Sequence, residues 1–230
     1  RHTYLSTLVK LLVHLKLSYR ESMRMDEILP ILLGNRFTQA GIMNFSEEDF
    51  FTWPMNIAIR KRSSKIFSGL LLELERFDID AIDEDVLKDL YQELVHPEVR
   101  KLLGEFYTPD WLAEKMVIET LEDNPLKSVL DPACGSGTLL IASYQIKEKI
   151  YRELEDYETD KLHKLFIEKH ITGGDIMPFA GHLTTLSLAL KNLEMKTSNV
   201  RVASGDSLDL ALGFKTPDFK KQGIPIDKFQ

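Results

Sequence analysis

The chain has 230 residues, 43% hydrophobic and 28% charged, which admits one large domain or two small ones and leaves ample length for a packed core. A net charge of −7 argues against the whole chain acting as a nucleic-acid clamp, because affinity for phosphates comes largely from Lys and Arg. No apolar run reaches the roughly 18–20 residues of a membrane span, and a lone Cys134 excludes an internal disulfide framework and suits a reducing cytoplasm.

Residues 1–103 read as a helical N-terminal domain, with helices expected over Tyr4–Arg20, Met25–Leu33, Ser46–Phe50, Asn56–Phe77 and Glu84–Leu94. In the first, Leu8, Leu11, Leu12 and Leu15 recur at helical spacing between Lys10, His14 and Lys16, so an amphipathic helix is expected. It lacks the small-residue cleavage site of a signal peptide. Arg60-Lys61-Arg62 with Lys65 is the one dense basic patch, read as a solvated helix face. Asp83 can cap the Glu84–Leu94 helix, and Pro97 can open a short helix to Leu103 that Gly104 closes in the left-handed conformation.

From residue 104 to 230 the pattern alternates between helix and strand. Thr108-Pro109 is expected as an N-cap with Pro at the first helical position, opening a helix over Asp110–Leu121. Short strands follow at Lys127–Leu130, His170–Gly174 and Val200–Ser204, separated by a helix from about Thr138 to Lys149 with a charged extension through Leu165 and by another from Pro178 to about Leu193. Such alternation implies an α/β fold with a parallel sheet. The segment after Leu212 reads as a loop, and neither end of the chain completes an element, so part of a longer polypeptide is expected.

The most informative stretch is Asp131-Pro132-Ala133-Cys134-Gly135-Ser136-Gly137, a strand that stops on an acid, turns on glycines and opens a helix. Only Gly tolerates the positive φ and close backbone approach of a nucleotide-binding turn of this kind. Asp131, Asp175 and Asp206 each follow an expected strand, which puts three carboxylates along the rim where open parallel sheets bind ligands. A carboxylate at the second strand can accept both hydroxyls of a ribose. The third can face an adenine amino group and the first a cationic group, while a pyrophosphate would be poorly served by so acidic a rim. Asp175 lies 38 residues past Gly137, whereas a nicotinamide-binding unit places its ribose acid about 20 residues on. No Gly-Lys-Ser/Thr follows the glycines, which disfavours a P-loop. His163, His170 and His182 lack metal-ligand spacing, so no metal is expected.

Gly104-Glu105-Phe106-Tyr107-Thr108-Pro109, a short helix and then the glycine turn resemble the γ-class adenine-N6 DNA methyltransferases of restriction-modification systems, the N-6 DNA methylase family. The resemblance covers Gly104 to about Leu208. It implies a partial Rossmann-like domain holding strands one to three of the sheet, with S-adenosyl-L-methionine as cofactor. Phe106, Tyr107, Thr108 and Pro109 match the segment that encloses the methionine end of the cofactor in that family. Asp131, Pro132, Ala133, Gly135, Ser136 and Gly137 match its glycine motif. Asp175 with Ile176 matches the ribose-binding acid, and Asp206 with Ser207 the adenine-side acid. The family's catalytic motif, Asn or Asp followed by Pro-Pro and an aromatic residue, is absent, as these 230 residues contain no Pro-Pro. Cofactor binding alone is therefore expected of this chain, and in that family's strand order the first strand pairs with a fourth that is not here. The implied partners are double-stranded DNA, reached mostly through regions outside this chain, with room for a specificity or restriction subunit. Two alternatives stay open: a related methyltransferase acting on RNA or on a protein glutamine, and a noncatalytic cofactor-binding or assembly module.

Overall fold

A computed structural model describes residues 2–18, 28–39, 50–79, 81, 88–89, 93, 96–103, 106–153, 159–192 and 200–208. Most of the expected Glu84–Leu94 helix, its cap Asp83, the closing Gly104 and the segment after Leu212 lie outside the described residues. The chain divides into two compact units, Arg1–His96 and Pro97–Gln230.

In the first unit the described helices are α1 (His2–Ser18), α2 (Ile28–Leu32), α3 (Asn35–Gln39) and α4 (Arg60–Leu74), with a 3₁₀ turn at Phe50–Met55. The expectation of an amphipathic α1 fails. Lys10 and His14 are as buried as the leucines around them, and the Lys10 ammonium donates to the Leu32 carbonyl (3.2 Å) at the end of α2. A cation placed on the last carbonyls of a helix is favoured by its dipole, which lets a lysine sit on an interior face. Helix α4 starts at Arg60 rather than Asn56, with Arg60, Lys61, Arg62 and Lys65 all exposed, as a solvated face requires.

The second unit runs α5 (Pro97–Leu103), α6 (Asp110–Leu121), β1 (Val129–Asp131), α7 (Thr138–Glu153), α8 (Thr159–Leu165), a π turn (Phe166–His170), β2 (Ile171–Asp175), α9 (Pro178–Ala189) and β3 (Val202–Ser204). The strands are parallel in the order β1-β2-β3, with Val129 opposite Ile171 and Gly173 opposite Val202. One face of this sheet carries Val129, Ile171, Gly173 and Val202 and receives α7 and α9, with α6 packed on α7. Leu140, Tyr144, Phe166, Ile167, Ile171, Leu188 and Val202 form the main core there, and Ala113, Val117, Leu121 and Ala142 form a second cluster beside it. Leu130 points to the opposite face and stays 50% exposed. Among the described residues β1 pairs with β2 alone.

One helix start differs from expectation. Pro109 is the N-cap of α6 (φ −59°, ψ 141°) rather than its first helical residue, and the Thr108 side chain makes no capping bond. The proline φ suits either position, and its extended ψ hands the first helical place to Asp110, whose carboxylate the helix dipole favours.

Candidate functional site

The three acids stand at the carboxyl ends of three adjacent strands. Asp131 and Asp175 are the last residues of β1 and β2, and Asp206 follows β3 by two residues. Helices α7 and α9 both begin at this end, so the positive ends of two helix dipoles offset the carboxylates. Asp131 accepts the Ala133 N–H (3.1 Å) through Oδ1, which folds the chain back after the strand. Burial pushes the Asp131 carboxyl above its ordinary range, the nearby Asp175 charge adds to the rise, and the Ala133 N–H opposes it.

Between β1 and α7 the backbone makes a tight turn over β2. The Cys134 N–H donates to the Gly174 carbonyl (2.9 Å), and the Gly137 N–H to the Cys134 carbonyl (2.7 Å). Gly135 and Gly137 have φ of +54° and +87°, the left-handed region the sequence predicts for them. They are glycines for different reasons. A Cβ at 135 would meet open space, whereas one at 137 would come within 2.9 Å of the Thr184 methyl.

Phe106, Tyr107 and Thr108 precede α6 in neither helix nor strand and meet this turn. Together with Asp131, Ala133, Gly135 and Ser136 they line a cleft of about 330 Å³ that is open to solvent. Phe106 is 77% exposed at its rim, and the Arg100 guanidinium sits 5.9 Å from the centre of the Tyr107 ring. Cys134, Thr138 and Leu139 also line the cleft. Among the described lining residues none carries a positive charge.

Other expected site residues lie elsewhere. Asp175 is 9% exposed, and each of its oxygens takes a backbone N–H at 2.8 Å, Gly135 on Oδ2 and Met177 on Oδ1. It therefore holds the glycine turn from below. Asp206 accepts the Leu208 N–H (2.9 Å), and the Ser207 hydroxyl donates to the Pro132 carbonyl, tying the end of β3 to the turn. Gly137 is packed under Thr184, Ile176 is exposed, and Pro109 serves as the cap of α6. The Cys134 thiol is pushed up to about 12, by burial first, and stays protonated. Buried and protonated, it is placed for packing rather than as a nucleophile.

Sequence reasoning missed Thr184, a fully buried residue of α9 whose hydroxyl donates to the Gly135 carbonyl (2.8 Å). Its only signal was a hydroxyl next to Leu183 in a largely apolar helix.

A model of the N-6 DNA methylase family matches residues 82–219. The chain belongs to that family. Among curated N-6 methylase relatives, the adenine-specific methyltransferase BrxX of Escherichia coli O9:H4 (strain HS) is 25% identical over 78% of this chain and 19% of its own length. The type I restriction enzyme MjaVII methylase subunit of Methanocaldococcus jannaschii is 34% identical over 40% of this chain and 16% of its own. The MjaIX methylase subunit of the same organism is 36% identical over 41% and 14%. The chain thus spans less than a fifth of the length of each of these relatives.

Proposed function

We propose that this chain supplies the S-adenosyl-L-methionine-binding part of a DNA methyltransferase that acts on adenine N6 in a restriction-modification system. The observation that carries the reading is the cleft itself. Phe106–Thr108 and the Asp131–Gly137 turn are separated in sequence yet wall one opening, with Asp131 at its edge and no lysine or arginine among its described lining residues. That donor set suits a nucleoside bearing a cationic amino-acid end and repels a pyrophosphate. When bound, the cofactor supplies a methyl group on a sulfonium, which passes to the adenine amino nitrogen as that nitrogen gives up a proton.

In this reading Asp131 faces the cationic end, and Phe106 and Tyr107 cover the apolar part of the ligand. Asp175 takes the ribose hydroxyls with the lone pairs its two backbone bonds leave over, and Asp206 lies on the adenine side with Ser207 and Ile176 nearby. Two acceptor oxygens offer about four lone-pair positions, so the holding role and the ribose role of Asp175 are compatible. The DNA duplex, the flipped adenine and any specificity or restriction subunit engage parts of the protein outside these residues. The family names of the relatives support a DNA substrate over an RNA or protein one.

Calorimetry with S-adenosylhomocysteine on the full-length protein tests the cofactor, and transfer of a labelled methyl group to duplex DNA tests the reaction. Binding is expected, and Asp175→Ala is expected to weaken it at least tenfold. A protein that binds no S-adenosylhomocysteine, or binds it equally after Asp175→Ala, counts against the site. Cofactor binding without methylation of any duplex supports the noncatalytic module instead.

A further inference from the structure

We infer that Thr184 is a positioning residue for the cofactor, acting through the Gly135–Ser136 peptide without touching the ligand; the inference rests on the reading of the cleft just given. The Gly135 unit is gripped at both ends. Its N–H is taken by Asp175 Oδ2 and its carbonyl by the Thr184 hydroxyl, each at 2.8 Å. In a trans peptide the C=O and the next N–H point in opposite directions. With the carbonyl turned into α9, the Ser136 N–H is turned away from it. Ser136 lines the cleft and Thr184 does not, so that direction is the cleft side. The Ser136 N–H has no acceptor among the described residues. It is a donor aimed by a side chain in α9, 49 residues past Gly135.

The methyl of Thr184 has a separate task. It closes the space beside Gly137, where a Cβ would come within 2.9 Å. Hydroxyl and methyl therefore act on successive parts of the turn, and two substitutions separate them. Thr184→Val keeps the branched shape and removes the donor to the Gly135 carbonyl. Thr184→Ser keeps the donor and removes the methyl.

In the cofactor reading of the cleft, Asp131 and the Ser136 N–H serve the amino-acid end of the ligand, so the two halves of the cofactor should respond differently. With the full-length protein held well below its melting temperature, Thr184→Val is expected to weaken S-adenosylhomocysteine about tenfold, the worth of one hydrogen bond of ordinary strength. Adenosine, which lacks the amino-acid end, should change less than twofold. Thr184→Ser should bind both ligands within twofold of the wild type, even where its melting temperature falls. Should Thr184→Val not fold, Thr184→Ala is expected to give the same split between the two ligands.

Equal loss of both ligands, or loss that follows the melting temperature across the variants, would mean a structural role only and overturns the inference. So does unchanged S-adenosylhomocysteine binding in Thr184→Val. A wild-type protein that binds neither ligand overturns the cofactor reading itself, and this inference with it.

Discussion

The two ends of the parallel sheet carry opposite charge and handle it in opposite ways. At the carboxyl ends stand Asp131, Asp175 and Asp206. Around the amino ends stand Lys147, His170 and Arg201, with pKa values pulled down by burial in each case and, at His170, by the charge of Lys147 as well. At the basic end Lys147 is satisfied from within, whereas the buried His170 Nδ1 and Arg201 Nε have no hydrogen-bond partner among the described residues. The Lys147 ammonium, fully buried in α7, donates to the carbonyls of Pro125 (2.7 Å) and Lys127 and lies 5.9 Å from the centre of the Phe166 ring. Arg201 reaches the Lys169 carbonyl (3.4 Å). The acidic end keeps capacity in hand: lone pairs on its carboxylates, a Ser136 N–H facing the cleft and a turn that needs two left-handed glycines. A group satisfied from within fixes the fold, whereas one left with spare bonds beside an opening can serve a ligand.

The largest expected effect tests the strained end. Gly137→Ala should cost about 3 kcal/mol, the left-handed strain and the clash with Thr184 acting together. Gly135→Ala carries the strain alone and should cost about 1–2 kcal/mol. Thermal unfolding of both variants checks the order, and equal costs would show that the Thr184 contact relaxes freely.

Next comes the basic end. Lys147→Met leaves two buried carbonyls without their donor and should lower stability by about 1–3 kcal/mol. S-adenosylhomocysteine affinity should stay within twofold of the wild type. A large loss of affinity would break the division between a structural and a ligand-binding end.

A smaller effect follows from protonation of the same lysine, whose value falls from 10.5 to about 8 in the folded chain. Between those values the unfolded chain holds the proton and the folded chain does not, so this group makes stability rise with pH across that window. The buried Cys134 thiol and Tyr144 phenol, both pushed up, act in the opposite sense. The difference between wild type and Lys147→Met, followed by denaturant unfolding from pH 7 to 11, isolates the lysine. That difference should grow toward high pH.

The gentlest test concerns Asp131, whose raised carboxyl should make S-adenosylhomocysteine affinity climb as pH passes above its ordinary 3.8 and then level off. Asp131→Asn should flatten that profile in calorimetry from pH 4.5 to 8.

Much of the second unit is legible in the sequence because glycine, proline and acids punctuate it. Helix Asp110–Leu121 falls where expected, and each strand overlaps its expected span, with Asp131 and Asp175 drawn into the strands they were thought to follow. The long α7 runs to Glu153, into the charged extension expected past Lys149, and a further helix covers Thr159–Leu165 at the end of that extension. What stays hidden depends on partners far along the chain. A strand-end position announces a carboxylate at 175, but not that Gly135 and Met177 will take its oxygens. Thr184 meets a turn 49 residues earlier, and no local pattern signals that meeting. Lys10 reads as a break in a leucine stripe until the end of α2 is placed beside it.

Gly173 sits in the middle of β2, under the start of α7. A Cβ there would press within 2.7 Å of a Leu140 methyl and 3.2 Å of the Cys134 sulfur. Both neighbours belong to the chain that walls the cleft or runs directly from it. The close seating of these two side chains over β2 depends on a missing side chain, and any larger residue at 173 would have to displace the Leu140 methyl and press on the Cys134 sulfur. The seating of the cleft's floor is thus tied to a position that does not itself line the cleft.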